Sequence, residues 1–183
     1  MKYKLEIISG TKDFVIRELK TKHHKISIQV EDGVIIFSSD ENIQSFSDIL
    51  SGIRITPEGS KNSLNLYRRE WRKEFVPAGI NPALAYVMCE VAEINNTDII
   101  LDPFCGGGTI PITASLYFQP KQVIASDISG KAIDINERNL VRANIKNMMV
   151  FRSDVSKLKL GSNSISKIIT NLPFGIREKT HDK

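Results

Sequence analysis

The chain has 183 residues, which is enough for one full domain or for a small domain followed by part of a larger one. Its hydrophobic share of 41% and charged share of 25% are typical of globular proteins and exclude a disordered chain. The net charge of +4 is concentrated between Lys61 and Lys73, which excludes a histone-like tail, where basic charge is spread throughout.

Membrane and metal-binding classes find no support in the sequence. No apolar run reaches the roughly 18–20 residues that cross a bilayer, and the opening residues MKYKLEII form a strand pattern rather than a signal peptide. The two cysteines, Cys89 and Cys105, form no Cys-x-x-Cys pair. The histidines His23, His24 and His181 are isolated in polar stretches that we expect to be exposed. We therefore predict a cytoplasmic protein with no metal site and no membrane partner.

The beginning of the chain predicts a small α/β unit. Strands are predicted over residues 4–8, 25–30 and 34–37, and helices after Thr11 and over residues 41–50. The Asp32-Gly33 pair predicts a hairpin turn between the strands over residues 25–30 and 34–37. The order β-α-β-β-α is that of a ferredoxin-like unit, whose last strand is either 53–55 or 64–67.

A linker is predicted over residues 56–63, where proline, glycine and serine are concentrated. We therefore predict two domains. Residues 1–60 form the ferredoxin-like unit with its linker, and residues 61–183 belong to a second domain.

The segment after the linker carries the excess positive charge. Such a basic strip can meet nucleic-acid phosphate, or it can be a solvated connector between domains. Trp71, which lies within it, either stacks on RNA or anchors the linker to the second domain. The residues predicted to contact RNA are Arg68, Arg69, Arg72 and Lys73.

From residue 83 onward, helices and strands alternate. The first helix, over residues 83–94, has Pro82 in its first turn. Strands that alternate with helices form parallel sheets with right-handed crossovers, so the pattern predicts a Rossmann-like α/β fold. Further strands are predicted over residues 99–102, 122–127, 148–151 and 165–170, and further helices over residues 110–118 and 131–143.

A glycine-rich loop follows the first of these strands, in the sequence Asp-Pro-Phe-Cys-Gly-Gly-Gly-Thr from Asp102 to Thr109. Glycines let the backbone approach a ligand closely and present its N–H groups. The loop lacks the third glycine of the dinucleotide fingerprint, because position 111 is proline, and it lacks the lysine of a P-loop. A cofactor without phosphate therefore fits better. The alternative is an ordinary tight turn, and Cys105 is interpreted as a small loop residue rather than a nucleophile.

Two acids follow the next two strands. An acid placed like Asp127 bonds ribose hydroxyls in nucleotide-binding α/β units. It can also cap a helix, although Ser129 can do this instead. Asp154 can bond an adenine amino group, or it can serve a turn or an N-cap.

The last predicted strand ends in Asn171-Leu172-Pro173-Phe174. An exocyclic amine on a nucleobase is a poor nucleophile, because its lone pair is delocalised into the ring. The Asn171 amide oxygen and the Leu172 carbonyl can accept its two hydrogens and so direct the lone pair at an electrophilic methyl group. Pro173 stiffens the turn and Phe174 offers a stacking face. The alternative is a turn that only ends the strand.

At these residues the sequence resembles a known family. The segment from Asp102 to Thr109 resembles motif I of S-adenosylmethionine-dependent RNA methyltransferases, and the segment from Asn171 to Arg177 resembles their motif IV, with leucine in its second place. The resemblance is to the THUMP-associated guanine-N2 methyltransferases, particularly the archaeal-type tRNA enzymes, and it covers roughly residues 60–177.

The resemblance implies S-adenosylmethionine as cofactor and methyl transfer to the N2 amine of guanine in tRNA or another structured RNA. Motif IV would hold the target base, and Leu172 in place of proline keeps the main-chain carbonyl. Motif I would hold the methionine part of the cofactor, Asp127 its ribose and Asp154 its adenine region. The cofactor-binding set is Asp102, Pro103, Phe104, Cys105, Gly106, Gly108, Thr109, Asp127, Ile128, Asp154 and Val155, and the catalytic set is Asn171, Leu172, Pro173 and Phe174.

The sequence also departs from the family's pattern. The chain ends at Lys183, soon after motif IV, whereas the family's fold continues with further strands and helices. We therefore expect a truncated product, a fragment or one half of a split protein with a complementing chain. The alternatives to an RNA enzyme are an inactive module that binds cofactor or RNA, and an amino-methyltransferase for rRNA or DNA. The intact motif IV favours the enzyme.

Overall fold

The structure, a computed structural model, describes residues 1–31, 33–77 and 79–173. The first part forms a five-stranded antiparallel sheet in the order β2-β3-β1-β4-β5. Its elements are β1 (Lys2–Glu6), α1 (Lys12–Lys22), β2 (Ser27–Glu31), β3 (Val34–Ser38), β4 (Arg54–Pro57) and β5 (Leu64–Asn65). The order of the first four strands is that of a ferredoxin-like unit.

Both segments considered for the last strand of this unit form strands. β4 pairs with β1, and β5 pairs with β4, with Leu64 opposite Ile55. The first sheet therefore extends beyond residue 60 into the range predicted for the second domain. The division of the chain into domains stays a prediction.

The helix predicted over residues 41–50 is wrong in type and length. A single 3₁₀ stretch, Ile43–Asp48, is formed instead, and Asn42 caps it by accepting from the Gln44 N–H. Two serines and an isoleucine lower the helix propensity of the segment. Its burial is nevertheless as expected, because Phe46 is fully buried and packs against Tyr3 and Phe37.

The exposure predicted for His23 is also wrong. Its neighbours in sequence are polar, but its ring is only 6% exposed and packs on Phe46. Its two nitrogens lie 3.1 Å from carboxylate oxygens of Glu41 and Asp48. The partners that bury this histidine come from elsewhere in the chain, which local sequence does not reveal.

The second part forms a parallel sheet in the order β8-β7-β6-β9. Its elements are α2 (Pro82–Val91), β6 (Ile99–Asp102), α3 (Thr109–Thr113), β7 (Gln122–Asp127), α4 (Gly130–Arg142), β8 (Met148–Arg152) and β9 (Lys167–Ile168). This confirms the Rossmann-like prediction. α3 continues as a wider π-type turn over Ala114–Phe118. The paired part of β9 is shorter than the predicted strand over 165–170.

The core of the second part is built from small and β-branched side chains, which lets helices lie close to the sheet. Its buried members are Ala85, Cys89, Ile100, Ile110, Ala114, Val123 and Ile169. Among the helices of the described residues, none is both long and apolar enough to cross a membrane.

Contacts between side chains join the two parts. The Arg17 guanidinium lies 2.7 Å from the Glu90 carboxylate, which brings α1 to α2. Arg69 donates to the carbonyl of Leu50 at 2.7 Å. Trp71 is only 5% exposed, so its indole is an anchor within the protein and is not presented to solvent for stacking on RNA.

Candidate active site

The carboxyl ends of the parallel strands form one edge of the second sheet, which we call the front edge. The glycine-rich loop leaves β6 here and enters α3. Gly108 adopts a φ of +88°, and a Cβ atom added to it would lie 2.3 Å from Asn136 Oδ1. Gly106 also has a positive φ, of +51°. Position 108 therefore requires glycine, because its left-handed backbone and the close approach of Asn136 both exclude a Cβ atom, whereas the backbone at position 106 only favours glycine.

Two buried amides of α4 support the loop from behind. The Asn139 side chain donates to the carbonyls of Gly107, at 3.0 Å, and Glu74, at 2.8 Å. The Asn136 amide donates to Cys105 Sγ at 3.2 Å. Sequence reasoning missed both residues. The available signal was their position among the apolar residues on the inner face of a helix, where an asparagine needs a specific partner.

The segment before α2 packs over the outside of the loop, which the sequence did not predict. A Cβ atom on Gly107 would lie 3.7 Å from the Phe75 backbone. The Glu74 carboxylate holds this segment to α4 through Arg138 and Arg142. Hydrogen bonds from these guanidinium groups lower the pKa of Glu74 to about 2.

The four basic residues predicted to contact RNA occupy different environments. Arg69 donates to the carbonyls of Leu50 and Leu66, and Arg72 donates through Nε to Thr109 Oγ1 at 3.1 Å. Both guanidinium groups thus contact protein. Arg68 and Lys73 are exposed. Together with the aromatic ring of Phe75, which is 63% exposed, they line a cavity of about 690 Å³.

Asp102, at the end of β6, is almost completely buried, with 1% of its surface exposed. Its Oδ1 accepts from the Thr170 hydroxyl at 2.7 Å and from the Phe104 N–H at 3.2 Å. Burial raises the pKa of this carboxyl to about 7, and the negative charge of Asp127 adds to the rise. Thr170 is a further site residue that sequence reasoning missed.

Asp127 faces the glycine loop rather than capping α4 with its side chain. Its Oδ2 accepts from the Gly106 N–H at 2.9 Å, and its Oδ1 accepts from the Ser129 N–H at the same distance. Ser129 is the N-cap of α4, accepting from the Ala132 N–H. The serine therefore takes the capping role, as the sequence allowed, and the acid stands beside the loop.

Asp154, which follows β8, is the N-cap of a short 3₁₀ helix over Val155–Lys157, which was one of the alternatives that the sequence offered. Its Oδ1 accepts from the N–H and the hydroxyl of Ser156, at 2.9 and 2.8 Å. These bonds hold its pKa below the ordinary value. Two apolar side chains of the predicted cofactor set are exposed at the same edge, Ile128 by 56% and Val155 by 43%.

Motif IV follows β9 at the front edge, beside the glycine loop. The Ile169 N–H donates to the Leu101 carbonyl at 3.0 Å, and Thr170 bonds Asp102, so Asn171 stands next to the end of β6. Asn171 is half-buried, and Leu172 is 59% exposed. Phe174 lies outside the described residues.

The hydrogen-bond acceptors at the front edge fit a cationic cofactor that bears hydroxyl groups. Asp102, Asp127 and Asp154 are all acids, and the loop from Asp102 to Thr109 contains no lysine or arginine to hold a phosphate. The thiol of Cys105 is buried against Asn136, and burial raises its pKa, so it is a packing group and not a nucleophile.

Comparison with known proteins relates this chain to methyltransferases. Residues 69–183 match the family UPF0020, described as an RMKL-like methyltransferase domain. The tRNA (guanine(10)-N2)-dimethyltransferase of Methanothermobacter thermautotrophicus is 35% identical over 121 residues, which are 66% of this chain and 35% of that protein. The enzyme of the same name from Methanocaldococcus jannaschii is 33% identical over 171 residues, 88% of this chain and 45% of that protein.

The fold of this chain is similar to the folds of proteins whose structures have been solved. TrmN from Thermus thermophilus superposes with a TM-score of 0.79 and 14% identity, covering 95% of this chain and 79% of that one. The present chain spans less than half of the length of the two archaeal relatives. Since the family profile matches more than half of this chain and includes both the glycine loop and motif IV, the chain belongs to the UPF0020 family of RMKL-like methyltransferase domains.

Proposed function

We propose that this chain takes part in methyl transfer from S-adenosylmethionine to the N2 amine of a guanine in tRNA. The observation that carries the proposal is the front edge, where the Thr170–Asp102 hydrogen bond brings motif IV next to the glycine loop. The names of the two archaeal relatives, both tRNA (guanine(10)-N2)-dimethyltransferases, support the choice of base and atom.

The cofactor would be held by the three acids and the glycine loop. S-adenosylmethionine, when bound, supplies an electrophilic methyl group on a positively charged sulfonium. An ionised Asp102 would attract the positive charges of the methionine part. Asp127 accepts from two backbone N–H groups, and its remaining lone pairs can accept hydrogen bonds from the ribose hydroxyls. The exposed side chains of Ile128 and Val155 offer apolar surface for the adenine ring.

The acceptors of motif IV would prepare the amine for attack. The Asn171 amide oxygen and the Leu172 carbonyl accept its two N–H groups, which withdraws its lone pair from the ring and directs it at the methyl carbon. Transfer would form an N–C bond as the S–C bond breaks, with S-adenosylhomocysteine as the leaving group, and the methylated amine would release one proton to water. No base of unusual pKa is needed, because the amine becomes acidic once it carries the methyl group.

RNA would approach over the basic strip. Arg68 and Lys73 are free of the protein core and can meet phosphate, and the exposed Phe75 ring offers a stacking surface in the same cavity. Arg69 and Arg72 would act less directly, because their guanidinium groups already hold the strip in place.

The test uses the full 183-residue chain. Calorimetry measures the binding of S-adenosylmethionine, and labelled methyl transfer to unmodified tRNA, followed by nucleoside analysis, identifies N2-methylguanosine. In the matched variant Asn171→Ala, we expect cofactor affinity within about threefold of wild type and transfer lowered at least about 100-fold. Cofactor binding without transfer by the wild type would leave a binding module, and absence of binding would overturn the proposal.

A further inference from the structure

β9, which ends the strand order of the second sheet within the described residues, is joined to β6 by few backbone bonds. β9 pairs with β6 only at Lys167 and Ile168, opposite Ile100 and Leu101. The last backbone bond toward the front edge runs from the Ile169 N–H to the Leu101 carbonyl. Beyond it, the hydrogen bond between the side chains of Thr170 and Asp102 is the last connection before Asn171.

This side-chain bond differs from a surface contact. Asp102 is 1% exposed, so water cannot readily replace the Thr170 hydroxyl as donor to its Oδ1. The same Oδ1 accepts from the Phe104 N–H in the glycine loop. One oxygen atom is thus shared by the loop and by the residue before Asn171.

We propose that Thr170 is a positioning residue, whose hydroxyl fixes Asn171 relative to the glycine loop by donating to Asp102. The inference rests on the proposed function for its catalytic consequence, because Asn171 is the group that would contact the target amine. Thr170 itself acts only through Asp102 and Asn171. A misplacement of Asn171 would slow transfer while leaving the groups around the cofactor in place.

The first experiment separates transfer from cofactor binding. In Thr170→Val, which keeps the shape and removes the hydroxyl, we expect transfer at saturating S-adenosylmethionine to fall roughly 10- to 100-fold. Affinity for S-adenosylhomocysteine should stay within about threefold. Thr170→Ser should restore transfer to within about threefold of wild type. Lys167→Met, which removes the bond from the Lys167 ammonium to Asp98 at the opposite end of the strand pair, serves as the control and should transfer normally.

The second experiment needs no turnover. The side-chain amide signal of Asn171, assigned in a nitrogen-15 spectrum through Asn171→Gln, is followed from pH 5 to pH 9 in the absence of cofactor. Its chemical shift should change as Asp102 is deprotonated in wild type and in Thr170→Ser. This pH-dependent change should be absent in Thr170→Val and in Asp102→Asn. The Asp102→Asn control separates this change from the ionisation of the Cys89 and Cys105 thiols, which interact with this carboxyl. The charge of Asp127 also acts on Asp102 and is present in both proteins.

The outcomes distinguish the inference from the function on which it rests. A wild-type Asn171 signal that does not follow Asp102, or Thr170→Val transfer at the wild-type rate, would overturn the role of Thr170. Equal losses of binding and transfer in Thr170→Val and Thr170→Ser would overturn it too, because they indicate a merely structural residue. If wild type transfers no methyl group while the signal follows Asp102 as expected, the proposed function fails and the positioning role stands.

Discussion

Side-chain bonds to an acid hold β6 and β9 together at both ends of the strand pair, but the charge of the bonding partner differs. We call the end opposite the front edge the rear. At the rear, Asp98 accepts from the Lys167 ammonium at 2.8 Å, and the ion pair holds the pKa of Asp98 below its ordinary value. At the front, Asp102 accepts from a neutral hydroxyl, and burial raises its pKa to about 7. One acid has a cation as its partner, and the other has none.

The rear end of the strand pair therefore stabilises the fold, whereas the acid at the front edge can still bind a positively charged ligand. The rear acid has its charge balanced and gains nothing from a ligand. The front acid is buried without a countercharge, which lowers stability when it is ionised. A cation brought by a cofactor would relieve this cost. A buried acid with hydrogen-bond donors but no cationic partner is therefore typical of a binding site rather than of the scaffold.

The largest effect is expected from adding one carbon atom to the front edge. Gly108→Ala places a Cβ atom 2.3 Å from Asn136 Oδ1 at a φ of +88°. We expect it to lower the free energy of unfolding by about 4 kcal/mol, from overpacking and left-handed strain together. Urea denaturation measures the change.

The matched substitution toward the rear is Gly161→Ala, in the loop that leads to β9. Its Cβ atom would lie 3.8 Å from Ser164 Cβ, in ordinary contact, so we expect a change within about 0.5 kcal/mol. If the two alanine variants were equally stable, the close packing of the glycine loop would be refuted.

The two acids should differ in how pH changes their contribution. The folded-state pKa of Asp102, about 7, lies above its unfolded value of about 3.9, so the folded chain binds the extra proton between these values and stability falls as pH rises. From pH 5 to pH 8, wild type should lose about 3 kcal/mol relative to Asp102→Asn. Denaturation at both pH values provides the comparison.

Asp98→Asn provides the contrast. The pKa of Asp98 is lowered, so the stability it contributes is complete above its unfolded value and is lost only as pH falls through the folded one. Its effect should therefore be the same at pH 5 and pH 8. A matching pH trend in the two asparagine variants would mean that the front and rear acids are not chemically distinct.

The smallest of the expected effects concerns the amides. Asn139 is fully buried and serves two carbonyls at the front, whereas Asn147 is half-buried and donates to one, that of Pro120, at the rear. We expect Asn139→Ala to lower the free energy of unfolding by about 2 kcal/mol and Asn147→Ala by about 1 kcal/mol. Equal effects, measured by urea denaturation, would argue against a special role for the support behind the glycine loop.

Much of the fold was predictable because its patterns are local. The alternation in β1 to β3 and the strand-helix alternation after residue 83 led to both sheets, and the glycine loop led to Asp102 and Asp127. The short 3₁₀ stretch around Phe46 was missed because burial and helical spacing do not distinguish helix types. Sequence spacing also cannot reveal contacts made by tertiary packing.

The missed parts of the site are of this second kind. Thr170 meets Asp102 across 68 positions of sequence, and Asn139 meets the Glu74 carbonyl across 65. Nothing local marks either residue, because threonine before a turn and asparagine in a helix are both common. The site residues that sequence predicts are those whose backbone or position in a motif is unusual. The residues that hold them in place appear only once the strands are paired.

The two buried cysteines give this chain a built-in measure of local opening. Burial raises the pKa of Cys89 to about 12 and raises that of Cys105, so neither thiol is reactive while the structure is closed. Cys105 lies in the glycine loop, and Cys89 lies on the buried face of α2, in the core of the second part. The rate of alkylation of each thiol therefore reports how often the structure around that thiol opens. A ligand bound to the glycine loop would slow alkylation of Cys105 more than alkylation of Cys89.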